Sequence, residues 1–200
     1  MFSLASYARS LIAILIAILL SPIILTIAFL ILIFMGRPVL FLQKRPGKDA
    51  KPFVIYKFRT MHTHNTLSSS SVKITRLGRV LRRLSLDELP QLWNVIKGEM
   101  AFVGPRPLLM DFLPLYTAEQ FSRHKVLPGM TGWAQVNGRN NLSWEQRFEY
   151  DVWYVRHHNI WIDLKILFMT VIKVLGAKDI GIGIFPPKKT YTEKQETESF

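Results

Sequence analysis

From Ser10 to Met35 the chain reads SLIAILIAILLSPIILTIAFLILIFM, 26 residues without a charge. As a straight helix this run would reach ~39 Å at ~1.5 Å per residue, against a bilayer core of ~30 Å. A small soluble domain has no use for a buried helix of that length. No small-residue cleavage site follows Met35, as a signal peptide would require. The run therefore reads as a membrane anchor. Ser21-Pro22 sits near its middle. Proline removes a backbone donor and crowds the Ile18 carbonyl, so the helix bends there, and the Ser21 hydroxyl can hydrogen-bond a freed carbonyl. A kinked spanning helix and a hairpin that enters and leaves by one face both satisfy this pattern, the spanning helix being the commoner outcome.

Beyond the run the periodicity changes. VLFLQ (39–43) and FVIYKFRTM (53–61) are β-like and flank a Pro/Gly/Lys turn, which predicts a hairpin. HTHNTLSSSS (62–71) is polar and low in complexity, a mobile loop. Val72 to Leu84 predicts a helix with Leu77, Val80, Leu81 and Leu84 on one face and Arg76, Arg79 and Arg83 on another, Arg82 lying near them. A short helix is expected from Pro90 to Lys97, stopping at Gly98. MAFVGPRPLL reads as strand or loop, Leu113 to Lys125 as a helix, and VLPGMTGWAQVNGRN as a glycine-punctuated loop. Ser143 with Gln146 forms a capping-box pattern opening a helix to about His158. Asp163 is the expected cap of a last helix, Leu164 to Leu175, apolar nearly all round and so either core or membrane-interface. The pattern gives an α-rich α+β fold: residues 1–36 in the membrane, 37–186 a small domain with a short β-hairpin and amphipathic interface helices, and 187–200 a polar, disordered tail. No internal repeat is present, and nothing suggests a Rossmann or barrel architecture.

Charge sharpens this picture. The formal net charge is +12. Residues 1–86 hold 13 Lys and Arg against the single acid Asp49, while residues 87–200 are balanced at 13 of each sign. All the excess therefore lies before the first acidic pair, a field that attracts anionic lipid, nucleotides or nucleic acid. Arg9 is the only base ahead of the apolar run, and Arg37, Lys44, Arg45, Lys48 and Lys51 crowd behind it, which puts the bulk of the protein in the cytoplasm. Cysteine is absent, so disulfides, thiolate metal sites and cysteine nucleophiles are excluded, and a reducing compartment suits the chain.

The candidate chemistry centres on Ser85-Leu-Asp-Glu-Leu-Pro90, which holds Asp87-Glu88, directly after the arginine-bearing helix. Ser85 with Glu88 fits a capping box and Pro90 a helix start, so both acids are expected near the positive end of a helix with Arg79, Arg82 and Arg83 close in sequence. Opposite charge favours the ionised carboxylate. Such a carboxylate can attack phosphorus or hold Mg²⁺, and arginines can neutralise phosphate oxygens bidentately. A capped helix start with surface ion pairs is the plainer alternative. Lys57 and Arg59 alternate with Tyr56 and Phe58 on one side of a strand, Arg106 is held between two prolines, and Gln135, Asn137 and Arg139 offer donors on a loop. Each of these is otherwise an ordinary surface group. His62, His64, His157 and His158 read as solvent or helix-end groups. Trp133, Trp144, Trp153 and Trp161 read as core or interface.

At SPIIL, VLFLQKRPG, IYKFRTM, LRRLSLDELPQLWNVIKGEM, FVGPRP, LPGMTGWAQVNGRN and FEYDVWY the chain resembles the monotopic polyprenol-phosphate phosphoglycosyl transferases, the bacterial sugar transferase family. These stretches run in family order from about residue 10 to 175, and the chain looks like the small form of the family. The resemblance implies transfer of a phospho-sugar from a UDP-sugar to polyprenol phosphate, usually undecaprenyl phosphate, with release of UMP, the first step in assembling a glycan on a lipid carrier. It implies Asp87 as the nucleophile that forms a covalent phospho-sugar intermediate, Glu88 associated with Mg²⁺ beside Asp87, and Lys57, Arg59, Arg82 and Arg106 serving the phosphates and nucleotide. It adds Asp151 and Asp163 of the E-Y-D and D-L-K motifs, with Gln135, Asn137 and Arg139 among the substrate-binding candidates. It implies that Ser21-Pro22 breaks a re-entrant helix, placing a monotopic enzyme on the cytoplasmic face of the bacterial inner membrane. Expected partners are a UDP-sugar, undecaprenyl phosphate, membrane lipid and later enzymes of the same glycan pathway, but not nucleic acid. Many members carry an acid early in the membrane segment, where this chain has SLIAIL after Arg9. GIGIFPPKK matches no family motif. Two other readings stand beside this one: a membrane-bound hydrolase of nucleotide diphosphate sugars, and a non-catalytic module that binds anionic lipid.

Overall fold

A computed structural model describes residues 4–61, 74–138 and 142–176. The loop expected at 62–71, Arg139, the GIGIFPPKK stretch and the tail lie outside the described residues. The apolar run forms two helices, α1 (Leu4–Leu19) and α2 (Ser21–Met35), bent by 62° at Leu20. The bend has the cause expected. Pro22 opens α2, and the Ser21 hydroxyl donates to the freed Ile18 carbonyl at 2.8 Å. Among the described residues no single helix is long and apolar enough to cross a membrane, but this bent pair together could, by length and composition. The helical stretch also starts six residues before Ser10 and takes in Arg9.

Both arms pack on the same domain. Ala13 of α1 is fully buried in a cluster with Phe53, Ile55, Val95 and Met100, and Ser10 Oγ donates to the Ile96 carbonyl at 3.1 Å. Ile27 and Ile31 of α2 are buried with Phe58 and Leu81, each such side chain stabilising by roughly 1.5–3 kcal/mol. Around the bend the side chains stay exposed, Leu19 at 77% and Leu25 at 68%. The C-terminal carbonyls of α2 have no partners within the helix. Arg59 supplies one: its guanidinium donates to the carbonyls of Met35, Gly36 (2.6 Å) and Arg37 (3.1 Å).

The expected hairpin is present. Strand β1 (Leu40–Pro46) pairs antiparallel with β2 (Pro52–Phe58), with Gln43 opposite Ile55. Among the described residues no third strand covers β2. Asn94 does so instead, accepting from Tyr56 N–H and donating to the Val54 carbonyl. Helix α3 (Arg76–Arg83) is capped by Thr75, whose hydroxyl accepts from Gly78 N–H at 2.8 Å. A Cβ on Gly78 would stand 2.1 Å from the Thr60 carbonyl oxygen, so only glycine lets α3 lie against the end of β2. A 3₁₀ turn, Leu86–Gln91, follows and leads into α4 (Leu92–Ile96). The capping box expected at Ser85 does not form: Ser85 has φ +55° and its side chain accepts no cap bond. The left-handed residue turns the chain sharply out of α3 instead.

Further along, tertiary contacts override the local reading. The glycine loop expected around residues 126–140 contains strand β4 (Gly129–Thr131), parallel to β3 (Ala101–Val103), and then α6 (Trp133–Asn137). The glycines mark backbone contact here, since a Cβ on Gly129 would meet Gly104 N at 2.1 Å. The single helix expected over 113–125 is three pieces: a 3₁₀ turn Met110–Leu115, α5 (Ala118–Phe121) and a 3₁₀ turn Ser122–Lys125. A Thr117/Gln120 capping box restarts the helix after Pro114. Helix α7 (Trp144–His157) opens on the expected Ser143/Gln146 capping box. Helix α8 (Ile160–Leu175) is capped by Asn159 and not by Asp163, which instead accepts from the Tyr154 hydroxyl at 2.7 Å. One side of α8 buries Ile166 with Val103, Val136 and Tyr154. Its other side exposes Trp161, Leu164, Phe168 and Leu175.

Candidate active site

Four elements converge on the acidic pair. The 3₁₀ turn carries Asp87 and Glu88, β2 brings Lys57, the end of α3 brings Arg82, and the proline-flanked segment after β3 brings Arg106. Glu88 is gripped from two sides. Lys57 Nζ lies 2.8 Å from its Oε1, and the Arg106 fork reaches Oε1 at 2.5 Å and Oε2 at 3.3 Å. Burial alone would push the Glu88 carboxyl up, but Arg106 and Lys57, by charge and hydrogen bond, hold it far below the usual carboxylate range. Burial draws the Lys57 ammonium down, against the attraction of Glu88. Arg106 is held up by Glu88.

Asp87 differs from its neighbour. It is 9% exposed, and no hydrogen bond or ion pair reaches its carboxylate among the described residues. Burial, and next the charge of Glu88, push it up, while Lys57, Arg106 and Arg82 pull the other way. Opposite charge acts on both acids, but on Asp87 burial and the charge of Glu88 work against it, whereas on Glu88 Arg106 and Lys57 prevail over burial. Lys57 and Arg106 bond to Glu88, which is fixed as an anion, and Asp87 is largely buried with no hydrogen bond or ion pair among the described residues. Of the α3 arginines, only Arg82 turns toward this turn, its Nε donating to Thr60 Oγ1 at 2.9 Å. Arg79 and Arg83 stand on the exposed face.

Residues 4–177 match the bacterial sugar transferase family. The chain belongs to that family. It is 57% identical over 149 residues to a Bacillus subtilis protein named uncharacterized sugar transferase EpsL, covering 72% of this chain and 74% of that one. It is 42% identical over 173 residues to a Klebsiella pneumoniae UDP-glucose:undecaprenyl-phosphate glucose-1-phosphate transferase, covering 80% of this chain and 37% of the relative. An Aeromonas hydrophila UDP-N-acetylgalactosamine-undecaprenyl-phosphate N-acetylgalactosaminephosphotransferase is 39% identical over 167 residues, covering 78% and 40%. The chain thus spans about two fifths of the length of these two transferases.

Of the other residues singled out from the sequence, none that the structure describes bonds to the acidic pair. Arg59 is 7% exposed and committed to the carbonyls that end α2. Asp151 is buried against Arg123, with Oδ2 2.6 Å from Nη2 and both side chains 2% exposed. Burial pushes its carboxyl up against the pull of Arg123 and Arg147. Arg123 also donates to the Arg106 carbonyl at 2.7 Å and to the Tyr116 hydroxyl at 3.2 Å, so Asp151 reaches the site only through Arg123 and the backbone of Arg106. Asn137 donates to the Trp133 carbonyl, and the buried amide of Gln135 has no partner among the described residues. Neither bonds to the acidic cluster. Arg45 and Gln91 escaped the sequence reading. Both line a small pocket with Lys57, Arg106 and Pro107. Burial, then the charge of Arg106, draw the Arg45 guanidinium down to about 10. Its alternation with Gln43, which accepts from it at 2.6 Å, was the available signal. Arg123 had none.

Proposed function

We propose that the protein transfers a phospho-sugar from a UDP-sugar to polyprenol phosphate. The observation that carries the reading is the division of labour in the acidic pair: a partner-free Asp87 carboxylate beside a Glu88 locked by Lys57 and Arg106. When ionised, a carboxylate this little solvated and held by no hydrogen bond is a strong nucleophile. One of its oxygens attacks the β-phosphorus of the UDP-sugar. The bond from that phosphorus to the bridging oxygen breaks, and UMP leaves with the electron pair. In the second step a phosphate oxygen of the polyprenol phosphate attacks the same phosphorus, releasing Asp87 and forming polyprenyl-diphosphate-sugar. Lys57, Arg82 and Arg106 stand where charge gathers on the diphosphate oxygens.

Among the described residues no three His, Cys, Asp or Glu side chains gather. Mg²⁺ is commonly held by one or two carboxylates while phosphates and waters complete its shell. Asp87 and Glu88 are the residues that would hold it. When bound it would offset the charge of the leaving UMP. The relatives named above act on UDP-glucose and UDP-N-acetylgalactosamine, so the sugar stays open within the UDP-hexose class.

The location follows from the same reading: the cytoplasmic face of the bacterial inner membrane, with α1 and α2 entering and leaving one leaflet. Two arms packed on one domain, with an exposed apolar bend between them, support it. The exposed apolar side of α8 suits the membrane interface, and later enzymes of the same glycan pathway would accept the product. A cysteine placed at Leu4 should resist a membrane-impermeant reagent added from the periplasm, and labelling from that side would exclude the re-entrant path.

Asp87→Asn should abolish transfer, and wild type should release UMP from the UDP-sugar without acceptor. Substantial turnover by Asp87→Asn would exclude the covalent route. Free sugar phosphate formed equally well with and without polyprenol phosphate would favour a hydrolase.

A further inference from the structure

Helix α3 exposes three arginines that the proposed reaction does not use. Among the described residues Arg76, Arg79 and Arg83 make no ion pair or side-chain hydrogen bond, and no residue between Ala50 and Leu86 is acidic. A bland reading is a solvated face. The order of side chains around the helix argues for more. At 100° per residue the buried arc holds Leu77 and Leu81, which pack on α2 with Ile27, Ile31 and Met35. Next around the cylinder from Leu77 come Leu84 and Val80, 41% and 53% exposed. Beyond them follow Arg76, Arg83 and Arg79. Moving away from the apolar α2, the surface passes from buried leucines through exposed aliphatics to unpaired arginines. That gradient matches the passage from hydrocarbon to headgroups, with arginine stems lying along apolar surface and their heads in the polar layer. Phe34 at the end of α2 and Leu40, Phe41 and Leu42 of β1 are exposed as well.

We propose that the outer face of α3 is a binding surface for anionic phospholipid headgroups, with Val80 and Leu84 seated at the acyl boundary and Arg76, Arg79 and Arg83 contacting lipid phosphates. The proposal rests on α1–α2 being the membrane segment. At ~1 kcal/mol per arginine near an anionic surface, three arginines favour anionic over zwitterionic lipid by on the order of a hundredfold. Because α3 leads directly into the turn bearing Asp87, lipid held here would fix the height of the site above the bilayer.

The chain has no cysteine, so a single introduced cysteine reports one position. Val80→Cys carrying an environment-sensitive fluorophore is placed in nanodiscs of phosphatidylcholine alone, and in discs containing phosphatidylglycerol. Leu19→Cys at the bend is the reference. Position 80 should shift to the blue in anionic discs only, and the combined Arg76→Gln, Arg79→Gln, Arg83→Gln variant should lose that shift while melting like wild type in detergent. Equal emission at position 80 in both discs overturns the proposal, as does a shift that survives in the triple variant. A shift produced by polyprenol phosphate in phosphatidylcholine discs, but not by phosphatidylglycerol, makes this face a substrate site and overturns it too. If the Leu19 probe reports water in every disc, the membrane reading of α1–α2 falls, and this proposal with it.

Discussion

Replacing Asp151 by asparagine tests the buried support of the site. The change keeps shape and removes charge, leaving the buried Arg123 guanidinium without an anionic partner and with only neutral acceptors: the new amide oxygen, the Arg106 carbonyl and the Tyr116 hydroxyl. Removing one partner of a buried ion pair costs about 3–5 kcal/mol. At about 2–4 °C per kcal/mol for a chain of this size, Tm should fall by roughly 6–20 °C. With total stability of about 5–15 kcal/mol, the variant should still fold at 25 °C. Activity should fall because Arg123 holds the backbone of Arg106, whose fork grips Glu88. A double-mutant cycle separates this from loss of folded protein. UMP release is compared for wild type, Asp151→Asn, Arg106→Gln and the double variant, at a temperature where all are folded. If Asp151 acts through Arg106, its replacement costs little once Arg106 is gone. Fully additive losses would refute the chain of support, and a Tm within 2 °C of wild type would refute the buried pair itself.

Other outcomes follow from the same geometry. His124 Nδ1 donates to the Gly47 carbonyl, and burial, then Arg123, draw its pKa from 6.5 to about 4. The unfolded chain therefore takes up this proton first. The stability contributed by the neutral ring is complete above pH 6.5 and is lost as pH falls, by about 3 kcal/mol at pH 4. His124→Gln should flatten that part of the melting-temperature profile, and an unchanged slope would show that another group is responsible. Arg59→Lys should lower Tm and leave KM for the UDP-sugar near wild type, since each charge-assisted bond to the end of α2 is worth about 1.5–3 kcal/mol. The reverse pattern, an intact Tm with raised KM, would return Arg59 to the phosphates.

Local patterns read well wherever the chain's own periodicity or sterics decide. The bend at Ser21-Pro22 is an example, because proline's lost donor and its clash with Ile18 act within one turn. The hairpin and the capping box at Ser143 are others. Asp87, Glu88, Lys57, Arg82 and Arg106 could be named in advance as residue types fit to meet phosphate, and three separate stretches of sequence resembled the family at those points.

Tertiary structure decided how those residues share the work. The charge pattern treated Asp87 and Glu88 alike, but only the approach of β2 and of the Pro105–Pro107 segment spends both cations on Glu88 and leaves Asp87 bare. Arg59 and Asp151 have charges that suit a phosphate site, yet each meets a buried group distant in sequence, the end of α2 in one case and Arg123 in the other. Gly129 looked like loop punctuation and is a point of close backbone contact with Gly104, where two strands meet. The sequence by itself determined a basic chain with a long apolar run bent at Ser21-Pro22 and an acidic pair behind an arginine helix. Which carboxylate is paired and which is free depends on distances between segments far apart in the chain, because desolvation and charge pairing are set by what packs against a group and not by its neighbours in sequence.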